Sequence, residues 1–157
     1  MRNNSALCAA TSAAARPPRR SCGFTLIELL VTVVIISIVA AIALPSYADY
    51  VIRGKIPDAT AGLATRQVQM EQYFQDNQTY VGAPACTSDS TSSNYFTFAC
   101  ASSSATAYQL NATGSGTMSG FTFTVDQSNV KTMAAVPSGW SAHSPNNCWV
   151  TKKGGVC

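Results

Sequence analysis

The chain has 157 residues, 11% of them charged and 46% apolar, with a formal net charge of +3. That length fits one ordinary domain, but the charged share is under half of the roughly 25% usual in a soluble one. The only histidine, His143, lies in a Ser/Pro/Asn loop. With no Ser–His–Asp arrangement and no glycine-rich phosphate loop after a strand, an enzyme reading is excluded.

The basic character sits at the front. Residues 1–23 hold Arg2, Arg16, Arg19 and Arg20 and no acid, whereas the remaining 134 residues hold six bases against seven acids. Directly after the Arg-rich segment, Phe24 to Leu44 reads FTLIELLVTVVIISIVAAIAL, 21 residues with Glu28 as the only charge. As a helix it is about 31 Å long, enough to cross a bilayer's hydrocarbon. It has no polar face, so lipid or identical helices must surround it. Four Arg before the span and no base after it until Arg53 keep the N-terminus in the cytoplasm and export the rest. An ordinary secretory signal has a shorter apolar region, roughly 7–15 residues, although Leu44-Pro45-Ser46-Tyr47-Ala48 offers a tolerable cleavage site. A plain single-pass anchor fits the length better. Neither alternative accounts for Gly23 directly before the span or Glu28 inside it.

Those residues carry a resemblance. Gly23-Phe24-Thr25-Leu26-Ile27-Glu28-Leu29-Leu30-Val31 resembles the processing and assembly motif of type IV prepilins. The likeness extends through Pro45-Ser46-Tyr47 and Tyr73-Phe74-Gln75-Asp76-Asn77-Gln78-Thr79-Tyr80 and is looser in the C-terminal half. It implies that prepilin peptidase removes the leader 1–23, cutting after Gly23, and methylates the new N-terminus at Phe24. It further implies that the inner-membrane pilus assembly machinery polymerises the subunit with other pilin subunits. Ser21-Cys22 stand before Gly23 where the family carries a basic residue, which bears on the efficiency of cleavage.

Glu28 has two readings. In the first, Thr25-x-x-Glu28 is a capping box whose carboxylate folds back on free backbone N–H groups at the positive end of the helix dipole. In the second, which the family supports, Glu28 pairs with the N-terminal amine of a neighbouring subunit's Phe24. That amine does not exist before cleavage, so processing would switch assembly on. Either way a carboxylate in an apolar helix needs a partner. Thr32 can bond the carboxylate or its own backbone, and Ser37, Ala40, Ala41 and Ala43 are small enough for close helix approach or are neutral filler.

Pro45 removes one helix hydrogen bond and is expected to bend the helix or melt it locally. Beyond it, residues 45–77 turn amphipathic, with Ile56, Ala59, Leu63, Met70 and Phe74 on one face and Gln67 as the polar exception. Gln69, Gln72 and Asp76 take the other side, and the helix should end near Asn77. Gly54 and Pro57 argue against a straight course. Residues 82–93 and 101–105 read as surface loops. Tyr95–Cys100, Ala107–Ala112, Phe121–Asp126 and Val130–Val136 read as strands, with a turn at Gln127-Ser128-Asn129. The expected class is α+β: a long N-terminal helix, its first half (24–44) spanning the membrane and later forming the fibre core, packed on an antiparallel sheet within 78–157.

Cys8 and Cys22 belong to the leader, while Cys86, Cys100, Cys148 and Cys157 all follow the span, which suits an oxidising compartment. Four cysteines allow three pairings. Cys86–Cys100 and Cys148–Cys157, each closing a local loop, are the expected ones. The separations of 13, 47 and 8 intervening residues match no zinc pattern, and no metal or cofactor is implied.

The C-terminal segment also has two readings. In one, Trp140 and Trp149 complete the core, Gly154-Gly155 turn the chain and the lysines are solvated. In the other, Lys152 and Lys153 on a disulfide-pinned loop contact DNA phosphate or another surface. This ending resembles minor pilins, a group that includes receptors for DNA in natural transformation, although the near-neutral body does not favour a strong sequence-independent grip on DNA. Asn77-Gln78-Thr79 and Asn111-Ala112-Thr113 match a glycosylation pattern. The sequence is thus read as a structural subunit of a type IV pilus, minor rather than major, serving pilus assembly, twitching motility, adhesion or DNA uptake. The alternatives are a major pilin, a pseudopilin of type II secretion, and a DNA- or surface-binding tip protein on a pilin stem. The expected location is the inner membrane, single-pass in the lipid bilayer, and then an extracellular fibre.

Overall fold

The computed structural model describes residues 24–157. Gly23 and the leader, with Cys8, Cys22 and the four arginines, lie outside the described residues. Helix α1 runs over Leu26–Asn77, 52 residues. Thr25 sits before its first turn, and its Oγ1 accepts the Glu28 N–H at 3.2 Å, the N-cap bond. At the other end Gln78 adopts a positive φ of 55° and its N–H closes on the Phe74 carbonyl at 2.8 Å. A left-handed residue just past the last turn is a common way to end a helix.

The local melting expected at Pro45 does not occur: α1 continues unbroken through Pro45 and Pro57. A proline deletes one N–H donor, and the bonds on either side carry the helix across. Ser46 Oγ also donates to the Ile42 carbonyl at 3.2 Å beside Pro45. In the C-terminal part of α1 the buried positions are Ile56, Ala59, Leu63, Arg66 and Met70. Their spacing of three or four residues makes one face.

Residues Ala41–Cys157 form one compact unit. Its sheet has four strands in the order β1-β2-β3-β4: β1 Phe96–Ser103, β2 Tyr108–Gly114, β3 Thr122–Asp126 and β4 Lys131–Ala135. All neighbours are antiparallel, with Leu110 opposite Cys100 on one side and Val125 on the other. Alternate residues turn inward onto α1, so Phe96, Phe98, Tyr108, Leu110, Ala112, Phe123, Val125 and Met133 join Ile56, Leu63 and Met70 in the core. This is the pilin α+β fold. β1 reaches Ser103, three residues into a stretch expected as loop. A bulge between Cys100 and Ser102 lets Ser102 and Ser103 pair with Gln109 and Tyr108. Ladder pairing recruits these polar residues without any apolar alternation to announce them.

Gly62 and Gly114 sit where a side chain would not fit. A Cβ on Gly62 would lie 2.2 Å from the Phe98 ring, and one on Gly114 would lie 2.0 Å from the Met118 carbonyl oxygen. Each sheet edge is covered at one residue. Asp89 exchanges backbone bonds of 2.8 and 2.9 Å with Phe98 on the outer side of β1. Along β4, the Asn146 amide accepts from the Met133 N–H and donates to the Met133 carbonyl, both at 2.9 Å. Disulfides join Cys86 to Cys100 and Cys148 to Cys157.

Leu63 is fully buried between helix and sheet whereas Val68 is exposed. Leu63→Ala should cost about 2–5 kcal/mol and Val68→Ala within about 0.5 kcal/mol. Denaturant unfolding of the detergent-solubilised chain, followed by tryptophan fluorescence, measures both.

Candidate functional site

Three places carry functional chemistry: the start of α1, the C-terminal loop, and a groove beside the helix. At the start, Phe24 is 79% exposed, and the aliphatic side chains from Leu26 to Leu44 are exposed almost throughout. Thr25 supplies only half of a capping box. Its hydroxyl takes the Glu28 N–H, but among the described residues no donor reaches the Glu28 carboxylate. Thr32 does not serve it either, because its Oγ1 donates to the Leu29 carbonyl at 2.8 Å. Ser37 likewise bonds the carbonyls of Val33 and Val34 at 2.7 and 2.9 Å. The stem therefore presents an apolar surface whose one charge is uncommitted.

At the other end of the sequence, the loop closed by Cys148–Cys157 is stiffened by an antiparallel bridge between Lys152 and Val156. The structure separates its two lysines. Lys153 Nζ makes an ion pair with Asp49 Oδ1 at 2.9 Å, whereas Lys152 has no carboxylate partner among the described residues. Trp149 is half-buried and committed: its Nε1 donates to the Thr124 carbonyl at 2.8 Å, and the Lys131 ammonium lies 4.8 Å from its ring centre. Its face is thus not free for stacking on a base. His143, expected at the surface, is half-buried, and its Nδ1 bonds the Gly155 carbonyl at 2.8 Å. A carbonyl acceptor requires the proton on Nδ1. His143, Cys148 and Cys157 bring potential ligand atoms within 4.8 Å of one another. With the sulfurs joined to each other, no thiolate remains to hold a metal.

The groove, about 790 Å³, runs between α1 and the 84–92 segment and includes Thr65, Arg66, Gln69, Asp89, Ser92 and Phe98 in its lining. Sequence reasoning missed its central feature, Arg66 on the buried face of α1. The guanidinium lies 4.3 Å from the Phe98 ring centre and bonds Asp89 Oδ2 at 2.5 Å. Stacking on an aromatic face and pairing with carboxylate suit a planar, weakly hydrated cation. The available signal was position: Arg66 falls between Leu63 and Met70 at the spacing of the apolar stripe. Asp89 also accepts from the Thr91 N–H and hydroxyl at 2.7 and 2.8 Å, and from the Ser92 hydroxyl. The Ser92 hydroxyl above all, then the Thr91 donors, holds its carboxyl well below the usual carboxylate range. On the neighbouring side of α1, Glu71 accepts from the hydroxyls of Tyr80 and Tyr108. Burial, with the Glu71 charge second, raises the pKa of both phenols.

An exposed apolar helix entering an α+β unit with a four-stranded meander defines a pilin. The chain belongs to the type IV pilins. Residues 18–44 match the model of the prokaryotic N-terminal methylation motif, and residues 45–122 match that of the type IV minor pilin ComP, DNA uptake sequence receptor. Over 54 residues the chain is 44% identical to fimbrial protein EcpC of Eikenella corrodens, covering 34% of this chain and 35% of that protein. Over 37 residues it is 57% identical to a fimbrial protein of Moraxella nonliquefaciens, covering 24% of each. Type IV major pilin protein PilE1 of Neisseria gonorrhoeae is 34% identical over 73 residues, 43% of this chain and 44% of that one. The chain thus matches these relatives over less than half of their length.

The depressed pKa of Asp89 makes a prediction with a definite sign. Folding favours its carboxylate, so the stabilisation is complete above the ordinary aspartate pKa near about 4 and drains as pH falls below it. Thermal melts from neutral pH down to about pH 2 should show a shallower acid decline for Asp89→Asn than for the parent.

Proposed function

We propose that this chain is a subunit of a type IV pilus, made as a precursor whose leader is removed between Gly23 and Phe24. The new N-terminus at Phe24 is methylated by prepilin peptidase. The stem 24–44 holds the subunit in the inner membrane, with the exported unit on the far side, until the assembly machinery transfers it to a surface fibre of pilin subunits. The observation that carries this reading is the uncommitted Glu28 carboxylate on an otherwise apolar, exposed helix. A charge there is costly unless paired, and the amine of a neighbour's Phe24 is the partner that processing creates. The role is structural, not catalytic. Thr25 caps the helix and leaves Glu28 free to pair outside its own chain.

Glu28→Ala should leave membrane insertion and leader removal intact but reduce incorporation into fibres at least tenfold, if the pair supplies about 1.4 kcal/mol or more. Intact mass separates the steps: the processed subunit should have 134 residues and one methyl group on Phe24. Normal incorporation of the variant would reduce Glu28 to a cap residue.

A DNA-binding role within the pilus is supported by the match of residues 45–122 to a model described as a DNA uptake sequence receptor. The same match favours a minor over a major subunit. It stops short of Lys152 and Lys153, so the lysine loop is not what supports this reading. Duplex DNA titrated against the full chain in zwitterionic nanodiscs should bind, and log K should fall with log salt by about 0.9 for each phosphate contacted. Absence of binding at low salt would leave the structural role alone.

A further inference from the structure

The C-terminal loop returns to α1 close to where its apolar run stops. The Lys153–Asp49 ion pair, at 2.9 Å, pins the loop to the helix. Asp49 lies five residues past Leu44, which is about 7.5 Å along the helix axis. A bilayer with about 30 Å of hydrocarbon and about 40–45 Å in all leaves about 5–8 Å of headgroup on each side. With the apolar run in hydrocarbon, the Lys153 ammonium therefore lies at the depth of the lipid phosphates, and the loop that carries Lys152 is tied to the same turn of α1.

Two further observations point to the same surface. Tyr47 and Tyr50 are 68% and 72% exposed, although both belong to a unit with a well-filled core. Exposed tyrosines just beyond an apolar span are the residues that form interfacial belts. Arg53, one turn past Asp49, is exposed, and its Nε donates to the Asp49 carbonyl at 3.2 Å. Arg53 thus bonds the backbone of Asp49 while Lys153 pairs with its carboxylate. Of the three cations Arg53, Lys152 and Lys153, the first two have no ion-pair partner among the described residues. By contrast, Lys55 donates to Thr117 at 2.7 Å and lies over the Tyr95 ring.

We infer that Arg53 on α1 and Lys152 and Lys153 on the loop tied to it are a docking patch for the phosphates of anionic phospholipid headgroups, with Tyr47 and Tyr50 as its aromatic belt. The inference rests on the proposed membrane stage of the subunit and gives the lysine loop a task at that stage. The contact is temporary by construction. It exists while the stem is in lipid and ends when the stem leaves.

The test uses the full chain in nanodiscs of phosphatidylcholine alone, or of phosphatidylcholine with phosphatidylglycerol. Acylation of Lys152 by a water-soluble amine reagent is read by peptide mass spectrometry, with Lys131 as internal reference. Phosphatidylglycerol should slow Lys152 about fivefold, and high salt should reverse the effect. Asp49→Asn, which releases the loop from α1, should lose this protection. Equal Lys152 rates in both lipids, in a chain that co-purifies with the discs, would overturn the patch. So would equal protection by free inorganic phosphate, which would mean a simple anion site. Protection by duplex DNA without any by phosphatidylglycerol would hand the loop to nucleic acid. A chain that does not enter the discs at all would sink the membrane stage itself, and the patch with it.

Discussion

The stem of α1 cannot be satisfied by its own chain. Its aliphatic side chains stand exposed on every side, and apolar surface in water costs about 25 cal/mol per Å². Lipid is one medium that removes this cost, and a bundle of identical stems is another. The two differ little in hydrophobic terms, because hydrocarbon tails are as apolar as leucine. What can tell them apart is the one charge on the surface. Glu28 is costly in lipid unless it is paired, and under the proposed role a neighbour's amine would favour the second medium. The half-formed cap at Thr25 matters for this reason: a complete capping box would have satisfied the carboxylate within its own chain.

The unit Ala41–Cys157 carries its own core. It uses the lower part of α1 as one wall of that core. Phe96, Phe98, Phe121 and Phe123 are all nearly fully buried, and Phe98 reaches the helix at Gly62, where no side chain obstructs it. Arg66 then covers the same ring and reaches out to Asp89, tying helix, β1 and the 84–92 segment together. The cysteine pair Cys86–Cys100 fastens the same region covalently.

Much of this architecture was legible in the sequence because period and punctuation are local properties. The apolar run, the stripe Ile56-Ala59-Leu63-Met70 and the alternation in Phe121–Val125 each point to one element. The extent of β1 was not legible, since Ser102 and Ser103 join a strand through pairing with β2 rather than through any pattern of their own. At Pro45 a bend or local melting was expected, and the helix runs on without melting because the bonds flanking the one lost donor hold it. The Arg66–Asp89 pair joins residues 23 positions apart, and nothing in either neighbourhood announces the other. The same holds for Lys153 and Asp49. The sequence offered a pair of adjacent cations, and only the fold shows that one of them is tied to the helix.

Each edge of the sheet is interrupted at one point, and the consequence is for unwanted strand pairing. An open strand edge accepts any other open edge, at any register, and proteins crowded in two dimensions meet such edges often. Here the backbone of Asp89 closes β1, and a single side chain, Asn146, closes β4 by imitating a strand at Met133. At these two points an incoming strand would find the backbone groups of Phe98 and Met133 already paired. A strand added there would have to displace those partners before the ladder could extend. Asn146 thereby protects with one side chain a stretch of strand backbone that would otherwise be open to chance pairing.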